Sequence, residues 1–128
     1  MKLLLDTHTF LWLVEGNASL SAVAQAALAD PANELYLSAA AVWELAIKAG
    51  NKKLVLTDPL DVFVSKWTTV YQLAPLPIHT VHALGVVGLP DHHRDPFDRI
   101  LIAQALVEGM TLVSADTKFA LYSVPILW

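Results

Sequence analysis

The sequence predicts an α/β fold built on a mainly parallel sheet. Short, wholly apolar runs such as Leu3-Leu4-Leu5 recur along the 128 residues, and such runs are typical of strands buried on both faces. Helical segments of about a dozen residues separate these runs, which is the spacing of βαβ units with right-handed crossovers. Hydrophobic residues make up 55% and charged residues 16% of the chain. A chain of this length and composition is expected to form one ordered domain over residues 1–128.

In the first half of the chain, strands are predicted where an apolar run ends at a polar residue, at residues 3–5 and 35–37. Helices are predicted at residues 7–14, 19–30, 39–49 and 59–73. Ser19 or Ser21 could cap the second of these helices. Asp58 followed by Pro59 is the pattern of a helix cap and a first-turn proline, and it would open the fourth helix.

In the second half, strands are predicted at residues 75–78, 111–114 and 124–127, and helices at residues 79–87 and 97–108. Asp95 followed by Pro96 repeats the signal of a cap and a first-turn proline, and Gly109 ends that helix. Residues 90–96 are expected to form a polar loop.

Composition excludes several classes of function. The chain has no cysteine, so a disulfide scaffold, a zinc–thiolate site and a cysteine nucleophile are ruled out. The net charge is −4, which argues against a broad basic face for nucleic acid. No P-loop, dinucleotide-binding or nucleophile-elbow motif occurs. The first apolar run after Asp6 and His8 is too short for a signal peptide, and no window matches a membrane span. We therefore expect a soluble, unprocessed, cytoplasmic chain.

The few acidic residues fall at informative places. Asp6 directly follows the first strand, Glu44 lies in the helix after the second strand, Asp98 lies in the first turn of a helix, and Asp116 follows the strand at 111–114. Ligands of parallel α/β sheets bind at the carboxyl ends of the strands. Four carboxylates brought together there would repel one another without a cation, and oxygen ligands favour Mg²⁺ or Mn²⁺.

Each acid also has a structural interpretation. Asp6 could cap the following helix, and Glu44 could pair with Lys48 four residues later. Asp95 and Asp98 fit the cap and third positions of one helix, as a capping pair. The helix around Glu44 is apolar almost all round, which indicates a partly buried carboxylate that needs a partner or a metal.

The histidines do not predict a metal site of their own. His79 and His82 lack a third ligand at a recognisable spacing, and the adjacent His92 and His93 would point in different directions. With Arg94, the latter pair is expected to form a polar loop beside the acidic edge.

Four segments of the chain resemble the PIN-domain ribonucleases, and within them the VapC-type toxins of bacterial and archaeal toxin–antitoxin pairs. They are LLLDTHTFLW, LSAAAVWELAIKAG, RDPFDRILIAQALVEG and TLVSADTKFALY. The four segments occur in the order found in that family and span nearly the whole chain. The resemblance implies a three-layer α/β/α sandwich, a Mg²⁺- or Mn²⁺-dependent endoribonuclease and a homodimer. It also implies a small antitoxin that occupies the active-site groove.

The resemblance also assigns site residues. The acids of the family fall on Asp6, Glu44, Asp98 and Asp116, as metal ligands and catalytic residues. Ser38 and Ser114 supply the motif context of Glu44 and Asp116, and Ser114 stands where many relatives have threonine. Asp95 is an accessory acid found in many such sequences. A metal-activated water would then attack the scissile phosphate of RNA.

Without the four acids the net charge of −4 becomes zero, so bound divalent ions would compensate the site. Basic residues lie within a few positions of the proposed ligands and are expected to contact flanking phosphates. They are Lys48, Arg94, Arg99 and Lys118.

Two other functions fit parts of the pattern. A Mg²⁺-dependent phosphatase could use Asp6 as nucleophile, but it needs a D-x-D motif that Asp6-Thr7-His8 lacks. A catalytically silent PIN-like binding module would be favoured by a missing acid, yet all four are present. Apolar residues such as Trp12, Trp43 and Trp67 exceed what so short a chain can bury, so we expect a second copy or the antitoxin to cover some of them.

Overall fold

The computed structural model describes residues Met1–Trp128. Its centre is a five-stranded sheet in the order β3-β2-β1-β4-β5, with every neighbouring pair parallel. The strands are β1 Lys2–Leu5, β2 Glu34–Ser38, β3 Leu73–Leu76, β4 Thr111–Val113 and β5 Ile126–Leu127. The α/β prediction is confirmed, and the sheet is wholly rather than mainly parallel.

Six α-helices connect the strands. They are α1 Thr7–Glu15, α2 Ala22–Ala29, α3 Ala39–Gly50, α4 Leu60–Val70, α5 Thr80–Gly85 and α6 Pro96–Glu108. Short 3₁₀ turns follow at Val86–Gly88 and Thr117–Leu121. Helices α1, α2 and α4 share a core with one face of the sheet, and α6 shares a core with the other, which confirms the three-layer α/β/α sandwich. None of these helices combines the length and hydropathy that a membrane crossing would require.

Strand β1 shows why the sheet is buried on both faces. Leu3 and Leu5 pack into the core shared with α1, α2 and α4, whereas Leu4 packs into the core shared with α6. All three are fully buried. Since successive side chains of a strand point to opposite faces, an uninterrupted leucine run is what a two-sided core requires.

Helix α3 lies where the two cores meet. Ala40 packs into the core of α6, while Ala41 and Leu45 pack into the core of α1, α2 and α4. Helix α3 therefore places Glu44 between the two helical layers, at the side of the sheet where the strands have their carboxyl ends.

Two helix starts differ from the sequence predictions. Helix α2 begins at Ala22, because the Ser21 hydroxyl, and not that of Ser19, accepts a hydrogen bond from the backbone N–H of Ala24 at 3.0 Å. At α4 the cap position is occupied by Pro59, which makes no side-chain cap bond. The prediction that Asp58 caps this helix was therefore wrong by one position.

The end of α4 and the start of β3 also lie earlier than predicted. The helix ends at Val70, and Gln72 adopts a left-handed φ of 54° that breaks the helical path. Strand β3 then begins at Leu73 and contains Pro75. A proline is tolerated there because β3 is an edge strand, where its missing N–H interrupts no second ladder.

The order of the strands creates a switch point. From β1 the chain proceeds outward through β2 and β3, then returns to the other side of β1 to form β4 and β5. Leu5 is in register with Val113, so Asp6 and Ser114 emerge side by side at the carboxyl ends of β1 and β4. This is the place where parallel α/β sheets bind their ligands.

Candidate metal centre

Asp6 is both a helix cap and a member of the acidic edge. Its Oδ1 accepts a hydrogen bond from the backbone N–H of Thr9 at 2.8 Å, which caps α1. Its Oδ2 accepts from the Ser114 hydroxyl at 2.5 Å. Asp6 is 7% exposed, so two protein donors hold a nearly buried carboxylate in one orientation.

Glu44 has a donor on each carboxylate oxygen as well. Oε1 accepts from the Thr7 hydroxyl at 2.7 Å, and Oε2 lies 2.9 Å from the ammonium nitrogen of Lys48. The predicted Glu44–Lys48 ion pair is present. Because Thr7 directly follows Asp6, one short segment after β1 orients two of the four acids.

Asp116 lies in the segment that follows β4, and both of its carboxylate oxygens have hydrogen-bond partners. Its Oδ1 accepts from the backbone N–H of Lys118 at 2.9 Å, and its Oδ2 lies 3.2 Å from Nε2 of His93. Burial by itself would raise the pKa of Asp116, but the Lys118 N–H and then the His93 hydrogen bond outweigh burial and lower that pKa. Ser114 adds a link, since its hydroxyl accepts the backbone N–H of Asp116 at 3.1 Å.

Asp98 differs from the other three acids because its carboxylate accepts no hydrogen bond from the chain. Its pKa is raised from 3.8 to about 7, first by burial and then by the negative charges of its neighbours. Those neighbours are Asp95, Glu44, Asp116 and Asp6, in order of decreasing effect. The charges of the other three predicted ligands thus all act on Asp98, although of the four acids only Asp98 and Asp116 bring donor atoms within 4.8 Å of each other and of His93.

The donor set fits a hard divalent cation. Three carboxylates are oriented by protein donors, and the fourth is destabilised in its charged form until a proton or a cation neutralises it. Donor atoms of Asp98, Asp116 and His93 lie within 4.8 Å of one another, so the carboxylates of Asp98 and Asp116 are close enough to share an ion. A cleft of about 330 Å³ opens beside Asp6 and Asp116 and is also lined by His8 and Trp12. A larger cavity of about 510 Å³ at the amino end of β2 contains none of the four acids.

The four predicted phosphate-binding cations have different surroundings. The ammonium group of Lys48 already forms an ion pair with Glu44. Lys118 is exposed and its charge contributes to the lowered pKa of Asp116, so it lies at the acidic edge. Arg94 is exposed and lines an apolar cleft with Trp43 and Phe97. Lys118 and Arg94 are therefore the cations with side chains available to a ligand.

Arg99 has hydrogen-bond partners within the chain. Its guanidinium donates to the backbone carbonyls of Pro90 at 2.9 Å and Val86 at 3.2 Å. These bonds tie the segment before α6 to the helix, so the structure gives Arg99 a local structural partner that the sequence pattern did not indicate.

Ser38 fixes the position of helix α3, which carries Glu44. Its hydroxyl donates to Oε1 of Gln104 at 2.6 Å and accepts the backbone N–H of Ala40 at 3.0 Å. Ser38 is fully buried, so it caps the helix that carries Glu44 and joins that helix to α6.

The sequence interpretation missed the participation of Thr7 and His93. The position of Thr7 directly after Asp6 was a usable signal, because a hydroxyl at a strand end often donates to a neighbouring acid. His93 was expected in a polar loop, yet it is 5% exposed while its neighbour His92 is exposed. Nothing in the local sequence distinguishes these two adjacent histidines.

Fold and site together define an α/β protein with acidic side chains near the switch point of a parallel sheet. The family model described as PIN domain matches residues 3–124. The chain therefore belongs to the PIN-domain family. No curated protein sequence is similar enough to match this chain.

Several solved structures of VapBC proteins have a similar fold. The chain is similar to one of VapBC2 from Rickettsia felis bound to a DNA fragment from its promoter, with a TM-score of 0.74 and 14% identity over 98% of this chain and 97% of that one. VapBC-1 from nontypeable Haemophilus influenzae gives a TM-score of 0.65 and 15% identity, covering 98% and 96%. VapBC-5 from Mycobacterium tuberculosis, of the VapBC family of toxin–antitoxin systems, gives 0.62 and 19%, also covering 98% and 96%. At these identities the likeness concerns the fold.

Proposed function

We propose that this protein is a metal-dependent endoribonuclease that acts in the cytoplasm as the toxin of a toxin–antitoxin pair. The observation that supports the proposal most directly is that the Asp98 carboxylate is half-buried and has no hydrogen-bond donor in the chain. The charges of three carboxylates that do have donors act on it. Such a cluster is unfavourable by itself and becomes favourable when a divalent cation binds.

In this proposal Asp6, Glu44, Asp98 and Asp116 hold Mg²⁺ or Mn²⁺. The bound ion would supply an activated water and neutralise charge on the phosphate. The chain's own residues orient the ligands: Thr9 and Ser114 position Asp6, and Thr7 and Lys48 position Glu44.

RNA is the proposed substrate, because the chain belongs to the PIN-domain family and its motifs resemble those of the PIN-domain ribonucleases. Lys118 at the acidic edge and Arg94 at the mouth of the apolar cleft are suited to phosphates on either side of the cut. A small number of such contacts predicts a modest salt dependence of binding.

A phosphatase with Asp6 as nucleophile is disfavoured by the same geometry. Both oxygens of Asp6 accept hydrogen bonds, from Thr9 and Ser114, which stabilise the carboxylate and reduce its nucleophilicity. No observation on the structure favours a silent binding module, since all four acids are present and the charges of the other three act on Asp98.

Two partners belong to the proposal, a second copy of the chain and an antitoxin. Large apolar side chains are left exposed, among them Trp43, Leu84 and Val87 at 60%, 65% and 85%, and a second chain would cover some of them. The similar solved structures are described as VapBC complexes. An antitoxin would bring apolar side chains together with a basic residue that meets the carboxylates.

The test is cleavage of RNA by the purified chain with Mg²⁺, with Mn²⁺ and with EDTA, using Asp98→Asn as the matched control. We expect cleavage that requires the metal and is absent in the variant. RNA fragments mapped after brief expression would identify the sites that are cut. Equal cleavage in EDTA, or full activity of Asp98→Asn, would contradict the proposal.

A further inference from the structure

His93 lies directly behind Asp116 and its ring is tightly confined. The imidazole stacks on Phe119 at 4.9 Å between ring centroids and on Tyr122 at 5.4 Å, with interplanar angles of 28° and 26°. The residue is 5% exposed. Its ring is therefore fixed in one plane by two aromatic neighbours from the segment that follows β4.

The hydrogen bonds of Tyr122 determine which nitrogen of His93 carries the hydrogen. The Tyr122 oxygen accepts backbone N–H groups from His92 at 3.2 Å and from His93 at 2.8 Å, which uses its acceptor capacity. Its own hydroxyl hydrogen must then be donated, and the imidazole Nδ1 of His93 lies 3.3 Å away. If Nδ1 accepts, a neutral imidazole carries its hydrogen on Nε2.

Nε2 faces the metal centre. It lies 3.2 Å from Oδ2 of Asp116, while Oδ1 of that carboxylate accepts the backbone N–H of Lys118. With a hydrogen on Nε2, His93 donates to Asp116. The same hydrogen prevents Nε2 from coordinating a cation, although the nitrogen lies within 4.8 Å of donor atoms of Asp98 and Asp116.

We infer that His93 is a positioning residue of the metal centre: Tyr122 holds its imidazole in the Nε2–H tautomer, and that N–H orients the carboxylate of Asp116 toward the ion. The inference rests on the proposed function for the presence of the ion. Donors behind a metal ligand typically change metal affinity by about 10- to 100-fold when removed. Asp116 alone among the four acids would depend on a histidine for its orientation.

Two variants separate the donor from the packing. His93→Phe keeps an aromatic ring against Phe119 and Tyr122 but removes the N–H. His93→Gln places an amide N–H near the position of Nε2. Mn²⁺ affinity, measured by calorimetry and by electron paramagnetic resonance of free Mn²⁺, is expected to fall about 10- to 100-fold in the phenylalanine variant. The glutamine variant is expected to recover most of it, at a thermal stability close to that of the phenylalanine variant.

A second measurement needs no change at His93. The ¹⁵N chemical shifts of the two ring nitrogens distinguish a protonated from an unprotonated nitrogen. In the wild-type chain at pH 8 we expect Nε2 protonated and Nδ1 unprotonated, before and after Mg²⁺ is added. Tyr122→Phe removes the hydroxyl donor and is expected to give a mixture of the two tautomers.

Three results would overturn the inference. They are wild-type Mn²⁺ affinity in His93→Phe, a hydrogen on Nδ1 in the wild-type spectrum, and loss of the Nε2 hydrogen when Mg²⁺ binds, which would make His93 a direct ligand. Failure of the proposed function would look different, because the wild-type chain itself would then bind no Mn²⁺ or would bind it without cleaving RNA.

Discussion

Asp95 and Asp98 lie one helical turn apart at the start of α6, yet only Asp95 has hydrogen-bond donors. Oδ1 of Asp95 accepts from the backbone N–H of Phe97 at 2.8 Å and of Asp98 at 3.4 Å, which confirms the predicted cap. The expected reciprocal bond, in which the Asp98 carboxylate would accept the backbone N–H of Asp95, is not made. The first acid stabilises the helix, and the second projects its charge into the cluster of carboxylates.

The pKa of Asp98 predicts how the stability of the metal-free protein varies with pH. The pKa rises from 3.8 in the unfolded chain to about 7 in the folded one, so between these values the folded state binds more protons. The free energy of unfolding therefore falls as the pH rises through this window, and the loss is complete above pH 7.

Replacing Asp98 by Asn should remove the loss of stability that ionisation of this carboxyl causes at high pH. We expect the variant to unfold at a higher temperature than the wild type at pH 8 in EDTA, and the difference to vanish toward pH 4. Thermal unfolding at several pH values checks this. A variant less stable than the wild type at every pH would show that Asp98 is not destabilised in its charged form.

Asp95→Asn should behave differently from Asp98→Asn. Asparagine caps a helix about as well as aspartate, so the stability of Asp95→Asn should be close to that of the wild type and its RNA cleavage only modestly reduced. Asp98→Asn should abolish cleavage. Cleavage rates at saturating Mg²⁺ distinguish the two, and an equal loss in both would make Asp95 a ligand.

Addition of a divalent cation should stabilise the folded chain, because an ion that binds only the folded state shifts unfolding by mass action. Mn²⁺ should raise Tm more at pH 8 than at pH 5, since at pH 5 a proton on Asp98 competes with the ion. The shift should be strongly reduced in Asp98→Asn. A similar rise in Tm with NaCl at matched ionic strength would mean that the effect is general screening.

Ser114 should matter through its hydroxyl. Ser114→Ala removes both the donor to Asp6 and the acceptor of the Asp116 N–H, and the buried carboxylate of Asp6 loses a partner. We expect a decrease of about 1–3 kcal/mol in the free energy of unfolding and weaker Mn²⁺ binding. Ser114→Thr keeps the hydroxyl and is the matched control in chemical denaturation. Wild-type metal affinity in the alanine variant would remove Ser114 from the site.

Self-association should depend on the apolar residues near α5. Light scattering of the purified chain is expected to give the mass of a dimer. Leu84→Glu should shift it to a monomer, while Val23→Glu on α2, in the opposite helical layer, should leave the dimer intact. Leu84 and Val23 are exposed to similar degrees, 65% and 58%, so the comparison tests location. A wild-type monomer at micromolar concentration would contradict the dimer.

The layout of the fold could be predicted from the sequence, and the sequence also supplied the hypothesis that four acids meet at one edge of the sheet. The uninterrupted apolar run at β1 is typical of a strand that is buried on both faces. In a parallel sheet all strands have their carboxyl ends at one edge, so the positions of Asp6 directly after β1 and of Asp116 a few residues after β4 predict that these acids lie near each other. These features follow from local periodicity and from the connection rule of βαβ units, and both can be read along the chain.

The hydrogen-bond partners and the burial of each carboxylate became evident only from the three-dimensional structure. The bond from Ser114 to Asp6 joins residues 108 positions apart, and that from Thr7 to Glu44 joins residues 37 positions apart. The burial of His93 beside an exposed His92 depends on the packing of Phe119 and Tyr122, and not on the local sequence. Hydrogen bonds and burial depend on which segments the fold brings within a few ångströms, and a pattern of neighbours along the chain does not contain that information.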